Sequence, residues 1–200
     1  MTYEMKVAGL TRNLPLCPIS DTLMIGAFVI FGDVELTCAC ARDLLKIAPE
    51  FDYMVAPEAK AIPLVHEMAR QSGRNDYFLV RKKKKAYMNG VFEAVDRSIT
   101  TEGEQKLYMD GADAAKIKGK RILILDDVIS TGGSLAAVEN RVDQAGGTVV
   151  GRMAILAEGD AAKRDDILFL ERLPLFGPDG APLYKGSEYT VGWLTNWREH

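Results

Sequence analysis

The chain has 200 residues, with 25 Lys plus Arg against 28 Asp plus Glu, a formal net charge of -3. That length suits one domain able to bury about 70% of its unfolded surface, so it needs no covalent staple. A composition of 48% hydrophobic and 26% charged residues excludes wholesale disorder, and a pI near 5.5 excludes a general nucleic-acid coat.

An anionic ligand stays open, because local clusters set local fields, and Lys82, Lys83, Lys84 and Lys85 form one cationic run. The cysteines are Cys17, Cys38 and Cys40, and the histidines only His66 and His200. An odd count with a Cys-x-Cys spacing predicts neither a disulfide framework nor a zinc knuckle. We expect three reduced, mostly buried thiols in a cytoplasmic protein. The N-terminus lacks a basic region followed by an apolar one. The longest apolar run, 23–31, is broken by Gly26 and is too short to span a bilayer.

In chain order, residues 1–22 carry Pro15 and Pro18 and read as an irregular arm. The run 23–31 fits a strand or a buried helix, and periodicity does not separate the two. Asp33 predicts an N-cap for a helix to about residue 47, with Leu36, Cys40 and Leu44 on one face and Pro49 beyond its end. Residues 53–56 read as a buried strand, about 63–72 as a helix ending at Gly73, and 77–81 as a second strand. The segment 82–119 is polar, with Gly90, Gly103 and Gly111 and an alternation at Val91, Glu93 and Val95. It reads as an exposed hairpin or flap.

Residues 121–125 predict a strand buried on both faces, since four aliphatics run together. Leu135, Val138 and Val142 then recur at helical spacing, and Gly146 and Gly147 end that helix. Residues 148–156 give the next strand, and a short strand follows Ile167. Alternating strands and helices predict an α/β, doubly wound, mainly parallel sheet. No linker divides the chain. We expect a single domain over 1–200, with a core at about 33–156 and a small hood from 1–32 and 157–200 over the C-terminal edge of the sheet.

The chemistry concentrates in residues 122–134, Ile-Leu-Ile-Leu-Asp-Asp-Val-Ile-Ser-Thr-Gly-Gly-Ser. A buried strand ends in two carboxylates, and a turn of small residues opens a helix. Open α/β sheets bind ligands at the carboxyl ends of their strands. Helix N-termini bind phosphate through free N–H groups and the helix dipole. Gly132 and Gly133 permit close backbone approach, and Ser130, Thr131 and Ser134 add hydroxyls. The loop therefore reads as a phosphate cradle. Asp126 and Asp127 suit sugar hydroxyls or a hydrated Mg²⁺. Neither a P-loop nor a Gly-x-Gly-x-x-Gly pattern is present.

All thirteen of these positions resemble the hallmark of the type I phosphoribosyltransferases: four hydrophobic residues, two acidic ones, then Thr-Gly-Gly-Thr/Ser. The resemblance implies binding of 5-phosphoribosyl 1-diphosphate. Thr131, Gly132, Gly133 and Ser134 would hold the 5′-phosphate, with Ser130 beside them, and Asp126 and Asp127 the ribose hydroxyls. Residues 57–63 match the family's diphosphate loop, which gives Ala59 and Lys60 that role. Residues 79–85, Leu-Val-Arg-Lys-Lys-Lys-Lys, resemble the corresponding stretch of adenine phosphoribosyltransferases. This carries diphosphate binding onto Arg81, Lys82 and Lys85, with Lys83 and Lys84 as a solvated face.

The segment 82–119 is similar to the family's flexible loop, which closes over the reacting centre. Adenine enzymes carry Glu-Tyr-Gly there, whereas this chain has Thr101, Glu102 and Gly103. Glu102 is the candidate for moving the base proton. Leu156, Ala157 and Glu158 resemble the Leu-Val-Glu that lines the base pocket, so Val128, Leu156 and Glu158 are candidate pocket residues. The resemblance spans roughly residues 33–158 and is strongest to the adenine branch. It implies an Mg²⁺-dependent enzyme of purine salvage, a homodimer, that joins a purine, adenine first, to the ribose. From the net charge and the short apolar run we expect no nucleic-acid or membrane partner. The alternatives are a xanthine/guanine enzyme and a non-catalytic regulator that binds phosphoribosyl diphosphate. Residues 59–64 also resemble a loop of bacterial purine repressors, but with about 30 residues before the first core helix, too few for a winged helix of ordinary size, we expect no DNA-binding domain.

Overall fold

The computed structural model describes residues 1–86, 88, 92–93 and 107–183. The chain opens as a hairpin, not as an irregular arm: β1 (Thr2–Val7) pairs antiparallel with β2 (Leu10–Pro18), and β2 with β3 (Met24–Gly26). Ala8 and Gly9 both have positive φ, as a two-residue hairpin turn of matching twist requires. Met5, Val7, Leu14 and Leu16 point inward at period two. Of the run 23–31, only β3 is regular.

Helix α1 (Val34–Ile47) begins where expected, because the Asp33 carboxylate accepts the Leu36 N–H at 3.1 Å. Leu36, Cys40 and Leu44 are buried. β4 (Tyr53–Pro57), α2 (Ile62–Gln71) and β5 (Phe78–Val80) follow. β6 (Phe92–Glu93) and β7 (Tyr108–Met109) then pair antiparallel. The segment 82–119 is not all exposed flap. Leu107 and Met109 are buried, and Asp110 caps a helix, α3 (Gly111–Ile117), whose Ala114 and Ile117 enter the core. Val91, Val95, Gly90 and Gly103 lie outside the described residues.

β8 (Arg121–Ile129), α4 (Gly133–Gln144), β9 (Thr148–Glu158), a 3-10 turn (Gly159–Lys163) and β10 (Leu168–Leu173) complete the order. The central sheet runs β10-β9-β8-β4-β5, all parallel. Leu123 and Leu125 pack toward α1 and α2, while Ile122 and Ile124 pack toward α3 and α4. Each of these four side chains is fully buried and stabilises the fold by about 1.5–3 kcal/mol before entropy is counted. This is the doubly wound α/β architecture expected, with an added antiparallel sheet at the N-terminus. Met24 and Phe176 exchange backbone hydrogen bonds at 2.8 and 2.9 Å, so the segment after β10 joins that N-terminal sheet.

Cys40 is buried, Cys38 partly buried and Cys17 exposed, so the thiols are less buried than expected. Among the described residues, no helix is long and apolar enough to cross a membrane.

Candidate functional site

Strand order reverses between β4 and β8: the chain adds β5 on one side of β4 and β8 on the other. The crevice at such a point, beyond the carboxyl ends of the strands, is where doubly wound sheets bind ligands. β8 delivers Asp126 and Asp127 there. Asp126 is half-buried and Asp127 is 5% exposed. Asp126 Oδ1 accepts the Asp127 N–H at 2.8 Å. Asp127 Oδ2 is buried without a hydrogen-bond partner among the described residues. Burial pushes both carboxyls above the usual range, and the charge of Asp127 raises Asp126 further.

The next residues turn outward. Ile129 is buried, while Ser130, Thr131, Gly133 and Ser134 are exposed. Gly132 is the N-cap of α4, with φ +82°, and no side chain caps that end. The first N–H groups of α4 therefore have no partner of their own within the helix. They adjoin a cavity of about 40 Å³ lined by Asp126, Val128, Thr131, Gly132 and Ser134 among others. An uncapped helix start with glycines and hydroxyls has the donors and the dipole that suit an anion.

Across the crevice, β4 is followed by a turn of Glu58, Ala59 and Lys60, with a cis peptide between Glu58 and Ala59. Lys60 is exposed. Its charge lowers the affinity of Asp126, Asp127 and Glu158 for protons, against the larger effect of their burial. Arg81 lies at the end of β5, 3.4 Å from Glu58 Oε1, and its backbone pairs with Tyr108 at 2.8 Å in both directions. Lys82, Lys83 and Lys84 are exposed and Lys85 is half-buried. These cations share the carboxyl edge with Asp126 but stand two strands from β8, about 10 Å at the usual strand spacing.

Glu158 ends β9, and burial raises its carboxyl above the usual range. Val128 sits opposite Leu156 in the β8–β9 ladder. Leu156 is wholly buried in the core and Val128 only partly, so Glu158 is the group of the three that presents polar atoms. Thr101, Glu102 and Gly103 lie outside the described residues.

Two features escaped the sequence. One is Arg164: a Cβ placed on Gly132 would stand 2.6 Å from its Nη1. The other is a groove of about 330 Å³ between β2, residues 27–29 and the start of α1, lined by Arg12, Asn13, Phe28, Val29 and Asp33 among others. Arg12 grips Asp33 through two nitrogens, at 2.6 and 3.0 Å, and reaches Glu35 at 2.7 Å. The alternation of β2 is the signal that finds the groove. Nothing local signals Arg164.

This arrangement can hold a polyanion between a helix start and several cations, and accept hydrogen bonds from hydroxyls at the paired carboxylates. Among the described residues, no three His, Cys, Asp or Glu side chains converge to hold a metal ion. The orphaned Asp127 oxygen and its neighbour do suit Mg²⁺ that arrives on a substrate's phosphates, since Mg²⁺ keeps its waters and takes one or two carboxylates.

Comparison with known proteins agrees with this geometry. A family model described as phosphoribosyl transferase domain matches residues 40–173. A hypoxanthine/guanine phosphoribosyltransferase of Methanococcus voltae is 27% identical over 152 residues, covering 76% of this chain and 74% of its own. One from Methanococcus maripaludis is 30% identical over 143 residues, 72% of this chain and 70% of its own. Among solved structures, an adenine phosphoribosyltransferase of Thermoanaerobacter pseudethanolicus superposes with a TM-score of 0.63 at 22% identity, over 80% of this chain and 95% of that one. That of Saccharomyces cerevisiae gives 0.59 at 23%, over 78% and 93%. With its hallmark loop at the switch point of the sheet, the chain belongs to the phosphoribosyl transferase domain family.

Proposed function

We propose that the protein is a purine phosphoribosyltransferase of purine salvage. It would move the 5-phosphoribosyl group of 5-phosphoribosyl 1-diphosphate onto a free purine, releasing diphosphate and a nucleoside 5′-monophosphate. The observation that supports this best is the uncapped start of α4 beside the Asp126–Asp127 pair, with the Lys60 ammonium across the crevice.

The roles follow from the chemistry of each group. The N–H groups and hydroxyls of Ser130, Thr131, Gly132, Gly133 and Ser134 hold the 5′-phosphate. Asp126 and Asp127 accept hydrogen bonds from the ribose 2′- and 3′-hydroxyls. The reaction breaks the anomeric C–O bond and forms a C–N bond to the purine, through a transition state of oxocarbenium character. Positive charge then grows on the ribose, and the paired carboxylates oppose it at short range. Negative charge grows on the departing diphosphate, and the Ala59–Lys60 loop, Arg81, Lys82 and Lys85 oppose that. When bound, Mg²⁺ supplies further neutralisation of the leaving group, with Asp126 and Asp127 nearby. Glu158, half-buried at the base side, and Glu102 handle the proton of the base. Val128 and Leu156 form the apolar side of the base pocket. A homodimer and a cytoplasmic place belong to the same proposal.

Adenine is the proposed base, on the resemblance of residues 79–85 and 156–158 to the adenine branch. A second reading, a 6-oxopurine, is favoured by the hypoxanthine/guanine names of relatives at 27–30% identity. Diphosphate release with Mg²⁺, phosphoribosyl diphosphate and, in turn, adenine, hypoxanthine, guanine, xanthine, orotate and uracil separates the readings. Turnover with adenine above all supports the first, and turnover with hypoxanthine or guanine the second. Tight binding of phosphoribosyl diphosphate without turnover of any base would make the protein a regulator.

A further inference from the structure

Arg164 follows the 3-10 turn at Gly159–Lys163, where its N–H donates to the Ala161 carbonyl at 3.1 Å and Ala161 and Ala162 are buried. Its backbone is thus anchored at the carboxyl end of β9, next to β8. Both oxygens of Asp166 take the guanidinium, Nε at 2.8 Å and Nη2 at 2.7 Å. A two-point fork fixes the plane of the guanidinium. The third nitrogen, Nη1, is left outside that fork and lies against the cradle, in the space that a side chain at position 132 would fill. Gly132 is the cap residue whose neighbours supply the free N–H groups of α4.

Two guanidinium groups near the cradle each have one carboxylate partner. Arg152 pairs with Glu139 of α4, and Glu139 also acts on Arg164 at longer range. With Asp166, these are two cations and two carboxylates, so the cluster is neutral. A phosphate dianion on the start of α4 would therefore meet a neutral cluster whose nearest member is a guanidinium nitrogen.

We infer that Arg164 is a phosphate-binding residue, donating from Nη1 to a phosphate monoester seated on the N–H groups of α4. This rests on the reading of residues 130–134 as the 5′-phosphate cradle. It adds a cation that lies six residues past Glu158 and far outside the hallmark loop.

Ribose 5-phosphate, inorganic diphosphate and phosphoribosyl diphosphate are titrated separately into the wild-type chain, Arg164→Gln and Arg164→Lys by calorimetry, with thermal midpoints recorded for each. Losing one hydrogen bond to a charged group weakens ribose 5-phosphate about tenfold or more in Arg164→Gln. Diphosphate affinity stays unchanged, and Arg164→Lys recovers part of the loss. In steady state, Arg164→Gln raises KM for phosphoribosyl diphosphate more than it lowers kcat. Wild-type affinity for ribose 5-phosphate in Arg164→Gln would overturn the inference. So would equal weakening of both ligands with a lowered midpoint, which marks a structural role. A wild-type chain that binds diphosphate or phosphoribosyl diphosphate but no ribose 5-phosphate would overturn the Arg164 assignment alone. One that binds none of the three would overturn the proposed function with it.

Discussion

Asp127→Asn tests whether the carboxylates at the end of β8 are held for a ligand at a cost to the fold. Asp127 is 5% exposed and its Oδ2 has no partner among the described residues. An unsatisfied buried polar atom costs about 1–3 kcal/mol, and more when charged. The folded carboxyl is raised by burial, so the folded state holds its proton more tightly than the unfolded state does. The contribution of such a group to stability is present below its unfolded pKa of about 4 and is lost as pH rises through the folded value. Asparagine keeps the shape and removes the titration. At pH 8 the variant is therefore more stable than wild type, by about 1.4 kcal/mol for each pKa unit that separates the folded from the unfolded carboxyl. At about 2–4 °C per kcal/mol for a chain of this size, the midpoint rises several degrees, and the gap narrows toward pH 4. Differential scanning calorimetry across that range reads both numbers. Diphosphate release by the same variant falls at least about a hundredfold, the scale of one lost electrostatic partner at a reacting centre. A midpoint at pH 8 no higher than wild type, or a gap that does not change with pH, refutes the reasoning.

Three further predictions follow from named contacts. Lys60→Met removes the charge that holds down Asp126, Asp127 and Glu158, so the acid limb of kcat/KM moves to higher pH; an unmoved limb places Lys60 elsewhere. Gly132→Ala forces a left-handed backbone onto a Cβ, costing about 1–2 kcal/mol, and meets Arg164 Nη1 at 2.6 Å. Its midpoint drops, and adding Arg164→Ala restores only part; full restoration in thermal melts would show that the dihedral is not at issue. Arg12→Met frees Asp33, whose folded carboxyl Arg12 holds below the usual range. That stabilisation is present above the unfolded pKa and lost as pH falls, so the variant is less stable than wild type at pH 7 and the two converge in acid melts; a gap that persists in acid would assign Arg12 another role.

The core was legible because Ile122, Leu123, Ile124 and Leu125 admit one reading, a strand covered on both faces. The Asp126–Asp127 pair and the glycine turn after it were legible for the same reason, as a strand end with chemistry attached. The N-terminal hairpin was not, because Pro15 and Pro18 punctuate the alternation of Leu14 and Leu16. Helix α3 was missed because it is short and lies in a polar stretch where Gly111 looks like a breaker. The run from Arg81 to Lys85 was legible as cationic, but its distance from β8 is set by strand order, which sequence alone does not carry. Arg164 was invisible for a related reason. Its meeting with Gly132 is made by the β8–β9 pairing and by Asp166, and no local pattern records it.

We propose that the switch point between β4 and β8 binds phosphoribosyl diphosphate through the carboxylates of β8 and the start of α4. Titration of that compound, with Mg²⁺, into wild-type protein and into the Asp126→Asn/Asp127→Asn double variant tests it most directly. Wild type should show one site per chain, and the variant at least tenfold weaker binding at a thermal midpoint no lower than wild type. Equal affinity in both, in protein that is equally folded, would contradict it.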